Sequence, residues 1–167
     1  MIGTTDTRFS APDPRCEAGD FTRDLCVSYR RVTERGDIMN VGLIAHDSKK
    51  KLMQNFCIAY RGVLSKHELY ATGTTGRLIE EVTNLHVHKY LAGHLGGQQQ
   101  MAAQIANNDL DMVIFLRDPQ HPSAHEPDVN NVVKLCDTYN IPMATNIATA
   151  ELLIRALENG DLEWRES

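Results

Sequence analysis

The chain has 167 residues, a formal net charge of −5 and a hydrophobic fraction of 42%, which suits one folded domain with a real core. The acidic balance, with no basic run interleaved with aromatics, argues against a nucleic-acid surface. No apolar run approaches the roughly 18–20 residues of a membrane helix.

Residues 1–40 carry six Arg and no Lys, and Pro12, Pro14 and scattered Gly and Asp break any period. They read as a flexible N-terminal extension with a short helix near residues 21–29. The segment has no apolar signal core, and its acidic residues argue against a transit peptide. Met39 directly precedes the first clean strand and is the expected biological start. The folded domain is expected to span residues 41–167.

From Val41 onward, strand and helix patterns alternate. Residues 41–45 form a short apolar run suited to a strand buried on both faces. Ser48 is the expected N-cap of a helix that puts Leu52, Met53, Phe56, Tyr60, Val63 and Leu64 on one stripe. Within Lys49-Lys50-Lys51, a solvated first turn, one lysine at most is functional. The second strand covers residues 68–71, and a helix follows with Leu78, Ile79 and Val82 inward. A third strand is expected over residues 87–91 and a third helix over 98–106. Residues 112–116 form the clearest central strand. A helix over 129–139 buries Val132, Val133, Leu135 and Cys136, and residues 142–145 form the last strand. Thr149 would cap a helix over 150–158, which Gly160 would end.

Of the four cysteines, Cys16, Cys26, Cys57 and Cys136, none forms a C-x-x-C pair. Cys57 and Cys136 sit among apolar residues as core thiols, which fits a reducing cytoplasm. His86 and His88 share a strand face with no third metal ligand at suitable spacing, and read as solvent-facing. His94 and His121 read as loop residues.

Alternating strands and helices imply a parallel, doubly wound α/β sheet whose ligands bind at the carboxyl ends of the strands. Five polar clusters fall there: His46-Asp47, Thr72 to Gly76, Gly93 to Gln98, Asp118 to Asp128, and Thr145-Asn146. Thr72-Gly73-Thr74-Thr75-Gly76 packs three hydroxyls and two glycines between a strand and a helix. There, free N–H groups and the helix dipole together favour an anion. Taken singly, such a segment is as readily a capping turn, and each lone His or Asp a surface residue.

Together the clusters resemble the methylglyoxal synthase family. The matching residues are Ala45-His46-Asp47 with Lys50; Tyr70-Ala71 and the Thr/Gly stretch to Gly76; Gly93, Gly96-Gly97 and Gln99-Gln100; Asp118-Pro119; His125-Glu126-Pro127-Asp128-Val129; and Ala144-Thr145-Asn146. The resemblance implies a flavodoxin-like five-stranded sheet and a cytoplasmic homohexamer. It also implies a lyase that converts dihydroxyacetone phosphate to methylglyoxal and inorganic phosphate, with phosphate as product and inhibitor. No metal and no organic cofactor are expected.

On that resemblance, Lys50, the Thr72, Thr74 and Thr75 hydroxyls, and backbone N–H groups near Gly73 and Gly93 hold phosphate. His46 and His125 polarise the carbonyl oxygen and shuttle its proton. Asp47, Asp118 and Asp128 orient histidines or move protons. Arg165 matches a C-terminal Arg that reaches a neighbouring subunit's phosphate.

Two residues depart from the pattern. Gln98 stands where the family has an Asp, its catalytic base; an amide hydrogen-bonds but takes no proton at useful pH. Ala92 stands where a serine would add a phosphate donor. Gln98 therefore leaves a second reading open: a catalytically silent, phosphate-binding regulatory domain like those attached to carbamoyl phosphate synthetases. A third, an unrelated metal-dependent hydrolase on the His/Asp clusters, is weaker.

Overall fold

The computed structural model describes residues 38–92, 95–120 and 129–162, with Val129 described by its backbone alone. The expected extension to residue 37, the helix near residues 21–29, and His94 and His121 lie outside the described residues. Strands β1 (Asn40–Ala45), β2 (Glu68–Ala71), β3 (His88–Lys89), β4 (Met112–Leu116) and β5 (Met143–Ala144) form one sheet in the order β3-β2-β1-β4-β5. Every neighbouring pair is parallel. Around it lie α1 (Lys50–Ala59), a four-residue helix Arg61–Leu64, α2 (Gly73–Thr83), α3 (Gly97–Ala106), α4 (Val129–Thr138) and α5 (Ile147–Glu158).

This is the expected five-stranded, doubly wound sheet. Flavodoxin orders its strands 2-1-3-4-5; here the outward run is one strand longer, 3-2-1, before the chain reverses to β4 and β5. The reversal places the switch point between β1 and β4. Alternation along these two strands feeds two cores, as a sheet covered on both faces requires. Val41, Leu43, Ala45, Met112, Ile114 and Leu116 join Met53, Phe56, Ile79 and Ile154 of α1, α2 and α5. Ile44, Val113 and Phe115 join Met101, Ile105, Val132 and Cys136 of α3 and α4. Phe115 is wholly buried, which contributes about 1.5–3 kcal/mol relative to an exposed ring.

The structure departs from the sequence pattern where side chains capture backbone groups. β3 keeps only His88 and Lys89 because Glu80 Oε1 takes the Val87 N–H at 3.1 Å and Gln100 Oε1 takes the Leu91 N–H at 2.9 Å. β5 is cut to Met143–Ala144, beside Pro142, which has no N–H to give a ladder. The first helix breaks at Tyr60 (φ −105°, ψ 21°), and Leu52 is exposed rather than on the buried stripe. Val82 is exposed too, and Thr83 is buried in its stead. The last helix starts at Ile147 with Asn146, not Thr149, as its N-cap: Asn146 Oδ1 accepts the Thr149 N–H at 3.0 Å. Gly160 follows the end of α5 with φ 76°.

Cys57 and Cys136 are buried thiols. Burial pushes the Cys57 thiol up to about 12, so it is no nucleophile in the folded state. His86 and His88 are both exposed; His88 Nε2 lies 2.9 Å from Glu68 Oε2, and its ring stacks on Tyr70 at 4.8 Å.

Candidate active site

His46 directly follows β1, and Asp118 follows β4 by one residue, so both stand at the switch point. Three hydrogen bonds cross the crevice there. The His46 N–H donates to Leu116 O at 3.0 Å, the Asp118 N–H donates to His46 Nδ1 at 2.9 Å, and Ser48 Oγ donates to Asp118 Oδ2 at 2.7 Å. The Gln120 N–H donates to Asp118 Oδ1 at 3.0 Å. His46 and Asp118 are both buried, and the His46 ring meets the edge of Phe115 at 5.3 Å. Because Nδ1 accepts, the ring proton sits on Nε2. His46 is thereby presented as a donor through a fixed Nε2–H.

Thr72 is the N-cap of α2 and makes no side-chain cap bond. Gly73, Thr74 and Thr75 fill the first helical turn, so the helix starts four residues before the apolar pattern at Arg77. The Gly76 N–H bonds Thr72 O at 2.8 Å and the Gly73 N–H bonds Leu91 O at 3.2 Å. No acceptor among the described residues takes the N–H of Thr74 or Thr75, the orphan donors of a helix start. The Thr72 and Thr75 hydroxyls are buried 3.3 Å apart, while Thr74 is exposed. Lys50, at the start of α1, pairs with Asp47. Its ammonium, the Thr74 hydroxyl and the two N–H groups suit a phosphate dianion.

Residues 90–92 act as a strap over this cradle. The Tyr90 N–H reaches Ala71 O at 2.9 Å, and Ala92 O accepts from Leu95 at 2.8 Å and from Gly97 at 3.2 Å. A Cβ on Gly73 would meet Tyr90 O at 2.8 Å, and one on Gly97 would meet Leu91 O at 1.7 Å; only glycine permits both approaches. Glu80 of α2 braces the strand ahead of the strap by bonding Lys89 and the Val87 N–H, which hold its carboxyl below the usual range. Gln98, half-buried in the first turn of α3, is thus seated on the same strap as the α2 N-terminus.

Of the residues expected at the site, the sheet edge gathers His46, Asp47, Lys50, Thr72, Gly73, Thr74, Thr75, Ala92, Gln98 and Asp118. Gly93, His125, Asp128 and Arg165 lie outside the described residues. Asn146, counted with the edge, spends its side chain on capping α5. Ser48 is also corrected: its side chain caps no helix and instead joins Asp118. A hydroxyl one residue after His46-Asp47 was visible in the sequence, but its partner lies 70 residues away.

Comparison with known proteins agrees with this geometry. The family model described as MGS-like domain matches residues 54–145. A methylglyoxal synthase of Caldicellulosiruptor saccharolyticus is 66% identical over 128 residues, covering 77% of this chain and 91% of that protein. One from Alkaliphilus metalliredigens is 61% identical over 128 residues, covering 77% and 96%. The crystal structure of methylglyoxal synthase from Elizabethkingia anophelis NUHP1 superposes with a TM-score of 0.68 at 41% identity, covering 70% of this chain and 77% of that one. The chain belongs to the methylglyoxal synthase family.

Proposed function

We propose that this protein is a methylglyoxal synthase that releases inorganic phosphate from dihydroxyacetone phosphate, slowed by Gln98. The observation that carries the reading is the pairing of an open helix N-terminus at Thr74 and Thr75 with a histidine locked as an Nε2–H donor beside it. A base takes a proton from the hydroxymethyl carbon, and His46, aided by His125, stabilises the oxygen charge of the enediolate. The enediolate electrons then expel phosphate by cleaving its C–O bond. The remaining enol takes a proton on carbon to become methylglyoxal. Lys50, the Thr74 hydroxyl, the α2 N–H groups and the backbone around Gly93 receive the departing dianion. Asp128 is the best carboxylate to accept the proton that Gln98 cannot, with Asp47 and Asp118 serving to orient.

The assay is methylglyoxal production from dihydroxyacetone phosphate by purified protein beside Gln98→Asp. A positioned base contributes about 10²–10⁴-fold, and the variant should gain that factor. A parent already turning over at roughly 1–10³ s⁻¹, with no gain in the variant, would show that the base lies elsewhere. Gln98 also favours a second reading, a catalytically silent phosphate sensor. Phosphate binding by both proteins without product from either would establish it. The expected assembly is a cytoplasmic homohexamer in which Arg165 serves a neighbouring subunit; a monomeric mass by light scattering would count against it.

A further inference from the structure

We propose that Ser48 is a positioning residue for His46, acting through Asp118. The proposal rests on His46 being the electrophile of the reaction above. What fixes the His46 tautomer is the backbone N–H of Asp118, 2.9 Å from Nδ1. That N–H belongs to the loop after β4, so its aim depends on what anchors residue 118. The Asp118 carboxylate is the anchor. Oδ1 accepts the Gln120 N–H at 3.0 Å, which ties residue 118 only to its own loop. Oδ2 accepts the Ser48 hydroxyl at 2.7 Å, which ties the β4 loop to the turn Asp47–Lys49 after β1. Ser48 is thus a side-chain clasp across the switch point, next to His46 in the chain and joined through Asp118 to its ring.

Removing the hydroxyl leaves a carboxylate oxygen of a residue 7% exposed without this donor. A buried carboxylate that loses one donor re-seats on those that remain, and residue 118 shifts with it. Its N–H then no longer holds Nδ1, and the His46 ring is free to carry its proton on either nitrogen. An electrophile in the wrong tautomer, or misplaced by about 1 Å, weakens the transition state far more than substrate binding.

The test uses full-length protein with ¹⁵N-labelled histidine. Long-range ¹H–¹⁵N correlation spectra read the His46 tautomer, and methylglyoxal production gives kcat and KM. The parent should show His46 as the Nε2–H form. Ser48→Ala should mix the tautomers and lower kcat about tenfold with KM within about twofold. Ser48→Thr, which keeps the hydroxyl, should restore both. Ser48 is exposed, so both variants are expected to fold. An unchanged tautomer in Ser48→Ala overturns the proposal whatever the activity, as does a Thr variant that behaves like Ala. A tautomer that shifts in a protein making no methylglyoxal keeps the positioning role and rejects the proposed reaction.

Discussion

Gly97→Ala tests whether the strap over the proposed phosphate cradle holds the site together. A Cβ at residue 97 would lie 1.7 Å from Leu91 O, 2.6 Å from Leu91 C and 3.2 Å from Ala92 C. Real Cβ atoms keep about 3.0 Å, so strap and helix must part by roughly 1.3 Å, and the obstacle is backbone, which cannot rotate aside. Overpacking of this kind costs about 1–3 kcal/mol, which for a domain of this size lowers Tm by roughly 2–12 °C. The same displacement carries Leu91 O away from the Gly73 N–H and tilts the α2 donors. Phosphate affinity should fall about 10- to 100-fold, the worth of one hydrogen bond to a charged group. Gly62→Ala is the control: nothing lies within 4 Å of its Cβ, and the substitution should raise stability by about 0.4–1 kcal/mol. Scanning calorimetry and phosphate titration read both. A Gly97→Ala protein that melts and binds phosphate like the parent would refute the strap.

Two further outcomes follow from the geometry. Thr74→Ala should weaken phosphate binding by calorimetry about 10- to 100-fold with little change in Tm, because Thr74 is exposed and its hydroxyl is the outward one; equal affinity would remove Thr74 from the cradle. Cys57 makes stability fall in alkali. Its thiol is raised from 9.0 to about 12 by burial, so the unfolded chain loses that proton first, and the thiol's contribution, complete below pH 9, is lost as pH rises toward 12. The loss approaches about 1.4 kcal/mol per pH unit. Urea unfolding at pH 8 and pH 10 should show that drop in the parent and a smaller one in Cys57→Ala.

The apolar runs at Val41–Ala45 and Met112–Leu116 made the sheet legible, because a strand buried on both faces leaves an uninterrupted signature. The polar clusters at strand ends marked the sheet edge at which the structure gathers His46, Thr72 and Asp118. Strand β3 was overestimated because Glu80 and Gln100, on the helices that flank it, intercept the N–H groups of Val87 and Leu91, and the alternation of the strand itself does not record that competition. The capping role of Asn146 went unread for a related reason. An Asn before a helix serves equally as a cap or as a site residue until the donor to its side-chain oxygen is located. Ser48 carries the same ambiguity, and only the approach of β1 to β4 at the switch point resolves it. The place of His46 at the end of the first strand was legible, but its tautomer was not, since the group that sets it is the N–H of a residue 72 positions away.

The strap also sets how the protein breathes. Gly73, Leu91 and Gly97 each donate an amide proton to a bond that closes on residues 90–92 or on the helix packed against them. If that three-residue segment lifts, all three bonds open in one event, and the anion cradle and the seat of Gln98 disappear together. Such a segment is a single unit of local opening, so these amides should exchange with solvent at a common rate. An anion on the α2 N-terminus binds only the closed form and should slow the exchange of all of them by one factor, including Gly97, which belongs to the other helix.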